Sequence, residues 1–297
     1  LRCARCAVEY AAPDGIPDLR LPAEPRTERV RQFYAQAPFP GYAPRDSLSS
    51  LRARAARSGF ARALDDAIPG DATVLEMGCG TGQLSLFLAS ADRVVIGADL
   101  TRPSLALAQT AAERFGVRGV RFVETDLHAP GLRRGAFDVV ICSGVLHHTP
   151  DPRKSFAAVA QLVRSGGVIV LGLYNSFARL PLRARRLVAR LSRYRWIPGD
   201  PVLRDRRSEP ERREAWLRDQ YRHVEEHRHT LGEVRGWLRE QGFTYLRAFP
   251  STLLEGENEL FAQEDDWAIE RAIAQIGWMR RLGQEGGLFV AVGARPA

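Results

Sequence analysis

With 297 residues, 45% of them hydrophobic and 26% charged, the chain has the make-up of a soluble globular protein, and its length suits one elaborated domain. No apolar run approaches the roughly 18 residues that a membrane-crossing helix needs, and four cysteines in so long a chain form no disulfide framework, so a cytoplasmic location is expected. The net charge of +8 would ordinarily point to nucleic acid or a membrane surface, but Lys154 is the only lysine and the Arg-rich, Ala-rich composition reads as coding bias, so nucleic acid is not the expected partner.

The chain opens on Leu1 without an initiating Met or an apolar leader, and a processed or truncated end is expected there. Residues 1–25 are turn-rich and carry the pair Cys3 and Cys6; two cysteines cannot close a tetrahedral zinc site, so no metal is assigned. Residues 26–70 read as a helical cap interrupted by "APFPGYAP", where prolines and a glycine break the helix. From about residue 71 an alternating rhythm begins. "ATVLEM" is a first apolar strand, followed by the helical "GQLSLFLASA"; "RVVIGADL" is a second strand ending at Asp99, followed by a helix stopped at Gly116. "VRFVETDL" and "AFDVVICSG" are strands three and four, "PRKSFAAVAQLVRSGG" is the next helix, and "GVIVLGLYN" is strand five. Such β-α repeats specify a parallel sheet with right-handed crossovers. Two mostly helical insertions, 176–229 and 250–284, flank a sixth strand, "FTYLRAF", and "GLFVAVGA" closes the chain. Together with four tryptophans the insertions read as a lid bounding an amphipathic or apolar acceptor pocket, within a domain spanning 71–297.

The most specific motif is "VLEMGCGTG", in which an apolar strand runs straight into Gly78, Gly80 and Gly82. Glycines there let the backbone turn tightly and approach a ligand at a helix N-terminus. The third glycine of a dinucleotide fingerprint would fall at position 83, which is Gln83, so a dehydrogenase is disfavoured. Glu76 at the strand end would repel a pyrophosphate but suits a ligand with an ammonium or sulfonium group.

These residues resemble the first motif of the class I S-adenosylmethionine-dependent methyltransferases, and the likeness extends from about Ala72 to Asn175. The resemblance implies an α/β fold: a Rossmann-like, seven-stranded, mostly parallel sheet with an antiparallel last strand inserted between strands five and six, helices on both faces, and helical lid insertions. It implies S-adenosyl-L-methionine as cofactor. Glu76, Gly78, Cys79, Gly80 and Gly82 would line its methionine side, with Cys79 as a small filler. Asp99 would accept from the ribose hydroxyls and Leu100 would pack beside the adenine, while Asp126 and Leu127 would meet the adenine ring and its amine. Ser143 would border the cofactor, and Tyr34 or Tyr42 would reach the methionine carboxylate, with stapling of this segment to the sheet as the alternative role for both. The cysteine pair is similar to half of a zinc ribbon that precedes some bacterial members.

Strand four ends in "CSGVLHHTPDP", and ligands of open α/β sheets lie beyond the carboxyl ends of strands. His147 and His148 are therefore candidates for a proton-accepting role toward the acceptor, with pocket wall as the alternative; adjacent histidines point apart and make a poor metal site. Tyr174 and Asn175 after strand five, and Tyr221 in the insertion, are candidate acceptor contacts. His223 and His227 have the four-residue spacing of metal ligands, but a solvated charged face is the expected reading. The chain has no "DPPY" or "NPPY" motif after strand four, so a small-molecule acceptor methylated on oxygen or carbon is expected ahead of nitrogen. The alternatives are an rRNA or tRNA methyltransferase and a non-catalytic S-adenosylmethionine-binding protein.

Overall fold

The computed structural model describes all residues except 4–6, 21–27, 29–30, 33–40, 90–91, 201–202, 205–209, 222–225, 254–258 and 283–285. Its centre is a seven-stranded sheet of β1 (Thr73–Met77), β2 (Val94–Asp99), β3 (Val120–Glu124), β4 (Phe137–Ser143), β5 (Val163–Tyr174), β6 (Thr244–Phe249) and β7 (Leu288–Ala294) in the order β3-β2-β1-β4-β5-β7-β6. The expected α/β class and the insertion of the last strand between the fifth and sixth are both observed. The chain divides into two compact units, one of Leu1–Cys142, Arg153–Val170 and Ala294–Ala297, the other of Ser143–Pro152 and Leu171–Gly293.

In the first unit, β1 pairs in parallel with β2 and β4, and β2 with β3. Val74, Leu75, Val95 and Val140 are completely buried, as strands covered on both faces require. The register sets Met77 beside Ala98 and Asp99 beside Glu124, so the carboxyl ends of three strands finish nearly level. Around them lie α1 (Leu48–Arg57), α2 (Gly59–Ala67), α3 (Gln83–Leu88), α4 (Arg102–Phe115) and α5 (Pro152–Ala160). Ser47 and Ser58 cap α1 and α2, each hydroxyl accepting a backbone N–H at 3.2 Å.

Two features of this unit depart from the linear reading. Residues 16–19, at the end of the turn-rich opening stretch, join the sheet: Leu19 donates its N–H to Glu124 O and Glu124 donates to Pro17 O, extending the sheet edge beyond β3. The helix expected over 152–167 ends at Ala160, and β5 begins at Val163. Gly166 donates to Pro296 O and Arg295 donates to Gly167 O, so pairing with the end of β7 overrides the local helical pattern. Partner numbers fall as β5 numbers rise, which makes β7 antiparallel.

The second unit contains the turn after β4, the last four residues of β5 (171–174), α6 (Leu180–Leu191), α7 (Pro210–Tyr221), α8 (Leu231–Glu240), β6, α9 (Ala268–Arg281) and most of β7. Asn175 donates its N–H to Gly287 O at 2.8 Å, continuing the antiparallel pairing. Thr230 and Glu233 form a capping box that starts α8, exchanging bonds with each other's backbone N–H. Leu182, Ala189, Leu203, Leu217 and Tyr221 form a core of the expected insertion's own.

Candidate active site

The loop between β1 and α3 is built on positive backbone angles, with φ of 76° at Gly78, 53° at Gly80 and 74° at Gly82. Only glycine adopts these without strain, and a Cβ at Gly82 would lie 2.9 Å from both Ala108 and Phe122. The amides of Gly78 and Cys79 both donate to Ala98 O, at 2.7 and 3.0 Å, so the loop folds over the end of β2. There Asp99 is gripped on both oxygens. Oδ1 accepts from the Thr101 N–H at 2.9 Å and hydroxyl at 2.6 Å, and Oδ2 accepts from Gly80 N–H at 2.8 Å. A carboxylate oxygen accepts about two bonds, so Oδ2 retains capacity for a further hydroxyl donor.

Glu76 is buried, and its carboxylate accepts from the Ser85 hydroxyl. Burial pushes its carboxyl up to about 7, only partly opposed by Ser85. Cys79 is buried as well; burial first, then the neighbouring Asp99 and Glu76, push its thiol up, so it stays protonated and fills space. Asp126 accepts from the backbone N–H of His128 at 2.9 Å and pairs with its Nδ1 at 2.7 Å. Burial alone would raise Asp126, but His128 outweighs it and holds the carboxyl below its usual value. Leu100 and Leu127 are half-buried beside their aspartates.

Tyr42 donates its hydroxyl to Thr81 O at 2.7 Å, and Gln83 donates its side-chain amide to Gly41 O at 3.2 Å. The segment before α1 is thereby tied to the glycine loop. Tyr34, the other aromatic hydroxyl considered, lies outside the described residues, as do Cys6 and His223. Thr101 and His128 were not singled out from sequence, although each stands two residues after its aspartate, the spacing of a side-chain to backbone turn.

The second unit groups the other candidates. After β4 the chain turns at Gly144, whose N–H donates to Gly172 O at 3.0 Å. A Cβ at Gly172 would stand 2.0 Å from Ser143 Oγ, so a glycine on β5 is what admits that serine. A single helical turn, Leu146–His148, buries both histidines, His147 completely. The His147 ring lies 3.7 Å from the centre of the Tyr174 ring and 4.3 Å from that of His148. The Arg179 guanidinium carbon also lies 3.7 Å from the Tyr174 centre. Two groups this close to one ring centre cannot share a face, so Tyr174 is held between a histidine and an arginine. Its hydroxyl accepts from Gln220 Nε2 at 2.9 Å. His147 O accepts from His227 N–H at 2.8 Å, joining the histidine turn to residue 227.

Arg179 is a buried junction: it donates to Gly286 O at 2.6 Å and to Gln220 Oε1 at 2.5 Å, and it pairs with Glu226, which also binds Arg186 at 2.5 Å. Burial raises the Glu226 carboxyl, yet the two arginines more than offset this and hold it below its usual value. Nothing in the linear spacing singled out Arg179, Gln220 or Glu226, which meet only through folding.

Two expected acceptor contacts are committed elsewhere. Asn175 is fully buried; its Oδ1 accepts from Phe177 and Ala178 N–H at 3.0 and 3.1 Å, and its Nδ2 donates to Gln275 at 3.1 Å. Tyr221, read as a substrate contact, is instead a core residue, and its hydroxyl donates to buried Asp200 at 2.6 Å. Aromatic residues with a polar tip satisfy it when buried, and Asp200 also receives the Trp216 indole at 3.3 Å.

Residues 75–171, from β1 into β5, match the family described as a methyltransferase domain. That domain holds the glycine loop, Asp99, Asp126 and both histidines, and the sheet around it has the order of the class I methyltransferase fold. An uncharacterized protein of Synechococcus sp. is 27% identical over 231 residues, 70% of this chain and 52% of that protein. The ubiquinone biosynthesis O-methyltransferase of Cronobacter sakazakii is 38% identical over 111 residues, 37% of this chain and 46% of that enzyme. The chain thus spans about half the length of these curated relatives. In fold, it is similar to the magnesium protoporphyrin IX methyltransferase of Synechocystis with bound SAM, with a TM-score of 0.51 and 16% identity, covering 93% of this chain and 99% of that one.

Proposed function

We propose that this chain is an S-adenosylmethionine-dependent methyltransferase that methylates a small-molecule acceptor, on oxygen or carbon in preference to nitrogen. The observation that carries this reading is the Asp99 carboxylate, fixed by Gly80 and Thr101 at the end of β2 with acceptor capacity left on Oδ2. The donor set fits the cofactor: a glycine loop at a helix start, a buried carboxylate at Glu76, and carboxylates at Asp99 and Asp126 suit a ligand that is partly cationic and rich in hydroxyl and amine donors. Asp99 would accept from the ribose hydroxyls, Asp126 from the adenine amine, and Glu76 would face the ammonium group, with Leu100 and Leu127 against the base.

When bound, the cofactor supplies an electrophilic methyl group on a sulfonium sulfur. The protein has to align an acceptor atom with it and exclude water. An oxygen or carbon acceptor also loses a proton, and we assign that proton to the pair His147 and His148, with Tyr174 positioned by Arg179 and Gln220 as an acceptor contact. The small-molecule class is supported by the ubiquinone biosynthesis relative and by the lack of an amino-methylating motif after strand four.

Calorimetry with S-adenosylhomocysteine tests the cofactor reading: micromolar binding is expected, lost on Asp99→Ala, and no binding to the unmodified chain would overturn it. Release of S-adenosylhomocysteine, screened against phenols, quinones, polyketides and acidic metabolites, tests the acceptor class. His147→Ala and His148→Ala, made separately, should leave cofactor affinity intact while at least one abolishes turnover.

A further inference from the structure

The helix that follows β5 is apolar on two opposite faces. Leu182 and Ala189 of α6 pack into the core with Leu203, Leu217 and Tyr221. At 3.6 residues per turn, Leu180, Leu187 and Leu191 line up on the reverse face, where they are 43%, 61% and 78% exposed. Just beyond the helix Trp196 is 62% exposed. A surface helix is ordinarily polar on the side away from its core. A contiguous stripe of three leucines and a nearby tryptophan marks a surface meant to be covered.

The charge around the stripe selects what covers it. Between Ser176 and Gly199 the chain contains seven arginines and no acidic residue. Arg179 and Arg186 are engaged with Glu226, but Arg183, Arg190, Arg193 and Arg195 are exposed beside the leucines. Two copies of this face would repel one another. RNA would answer the arginines but leave the leucines and the tryptophan in water. An anionic bilayer answers both, because phosphates meet arginines at the level where apolar side chains enter the acyl region.

We propose that residues 180–196 form a lipid-docking face that lies in the headgroup layer of an anionic membrane, with Leu180, Leu187, Leu191 and Trp196 directed into the bilayer. No helix among the described residues is long and apolar enough to cross a membrane, so the contact is one of docking in the interface plane. This inference goes beyond methyl transfer and does not depend on it.

The test is flotation of the whole chain with vesicles of phosphatidylcholine alone or mixed with phosphatidylglycerol, at low and high sodium chloride. Binding is expected only to the anionic vesicles and should fall steeply with salt, as screened surface charges do. Leu187→Ser combined with Leu191→Ser, and separately Arg190→Glu combined with Arg193→Glu, should each lower the bound fraction about tenfold. All four positions are exposed, and circular dichroism checks that the fold survives. Failure of the unmodified chain to float with anionic vesicles would overturn the proposal, as would unchanged binding by the leucine variant. So would two outcomes without vesicle binding: a dimer in light scattering that the leucine variant loses, or RNA oligonucleotide binding that the arginine variant loses. Cofactor affinity measured on the same samples keeps a failure here separate from a failure of the methyl-transfer reading.

Discussion

Glu76 is the residue at which burial and the proposed chemistry pull in opposite directions. Its carboxyl is raised to about 7, so in the free protein it is largely protonated below neutrality. A ligand ammonium needs the carboxylate. Cofactor affinity should therefore weaken as pH falls below about 7, approaching tenfold per unit while a proton must be displaced, and Glu76→Gln should flatten that dependence. Calorimetry with S-adenosylmethionine between pH 6 and 8 measures this. A packing prediction concerns Gly172, where a Cβ would meet Ser143 Oγ at 2.0 Å. Gly172→Ala should destabilise by about 1–3 kcal/mol, as overpacked cores do. Adding Ser143→Gly should recover part of the loss in urea unfolding, because it removes the clashing atoms. That Asp99, Asp126 and the loop glycines would gather at strand ends was legible from spacing alone. The partners that orient them, Thr101 and His128, were not singled out, although they sit close in sequence.

At the scale of elements, the strands were read more accurately than the chain between them. β1 to β4 are mostly apolar runs, interrupted by Arg121 in β3 and Asp138 in β4, and pattern and structure agree there. The disagreement at α5 arose because "QLVRSGG" has helical spacing, yet Gly166 and Gly167 pair through their backbone with Pro296 and Arg295. Local propensity is a weak prior against such pairing. The start of α8 is the converse case, where Thr230 and Glu233 show a capping box in the letters themselves and the structure forms it. Thr230→Ala should cost about 1 kcal/mol in urea unfolding. The segment before α1 reaches the glycine loop through Tyr42, so Tyr42→Phe should raise amide exchange over residues 78–82 with little change in global stability.

For the whole molecule, the buried charges set the dependence of stability on pH. Glu226, Asp126 and Asp266, the last outweighing its burial through bonds from Thr252, Arg271 and Arg235, are held below their usual carboxyl values, so each contributes stability above the unfolded value of about 4 and loses it as pH falls through its native one. Glu76 has the opposite sign: its raised value means that stability is lost as pH rises from about 4.5 to 7. Unfolding in urea should therefore show a steep acid limb in the unmodified chain, less steep in Glu226→Gln, and a shallow decline toward neutrality that disappears in Glu76→Gln. Arg179→Leu leaves Glu226 one partner fewer in a buried setting and should destabilise by about 3–5 kcal/mol.

The strands themselves and the glycine loop follow from the linear chain because each is encoded locally, by apolar periodicity and by glycines at positions that demand positive φ, whereas the order of the strands in the sheet was implied only by the family resemblance. The setting of the histidines does not, since it depends on residues far apart in sequence: His147 against Tyr174, Tyr174 against Arg179, and Arg179 against Gln220, Glu226 and Gly286. The same holds for Tyr221 and Asn175. Their side chains looked available for a ligand, and only folding showed their polar atoms already engaged by Asp200 and by Gln275, because leaving a buried polar group without a partner is costly.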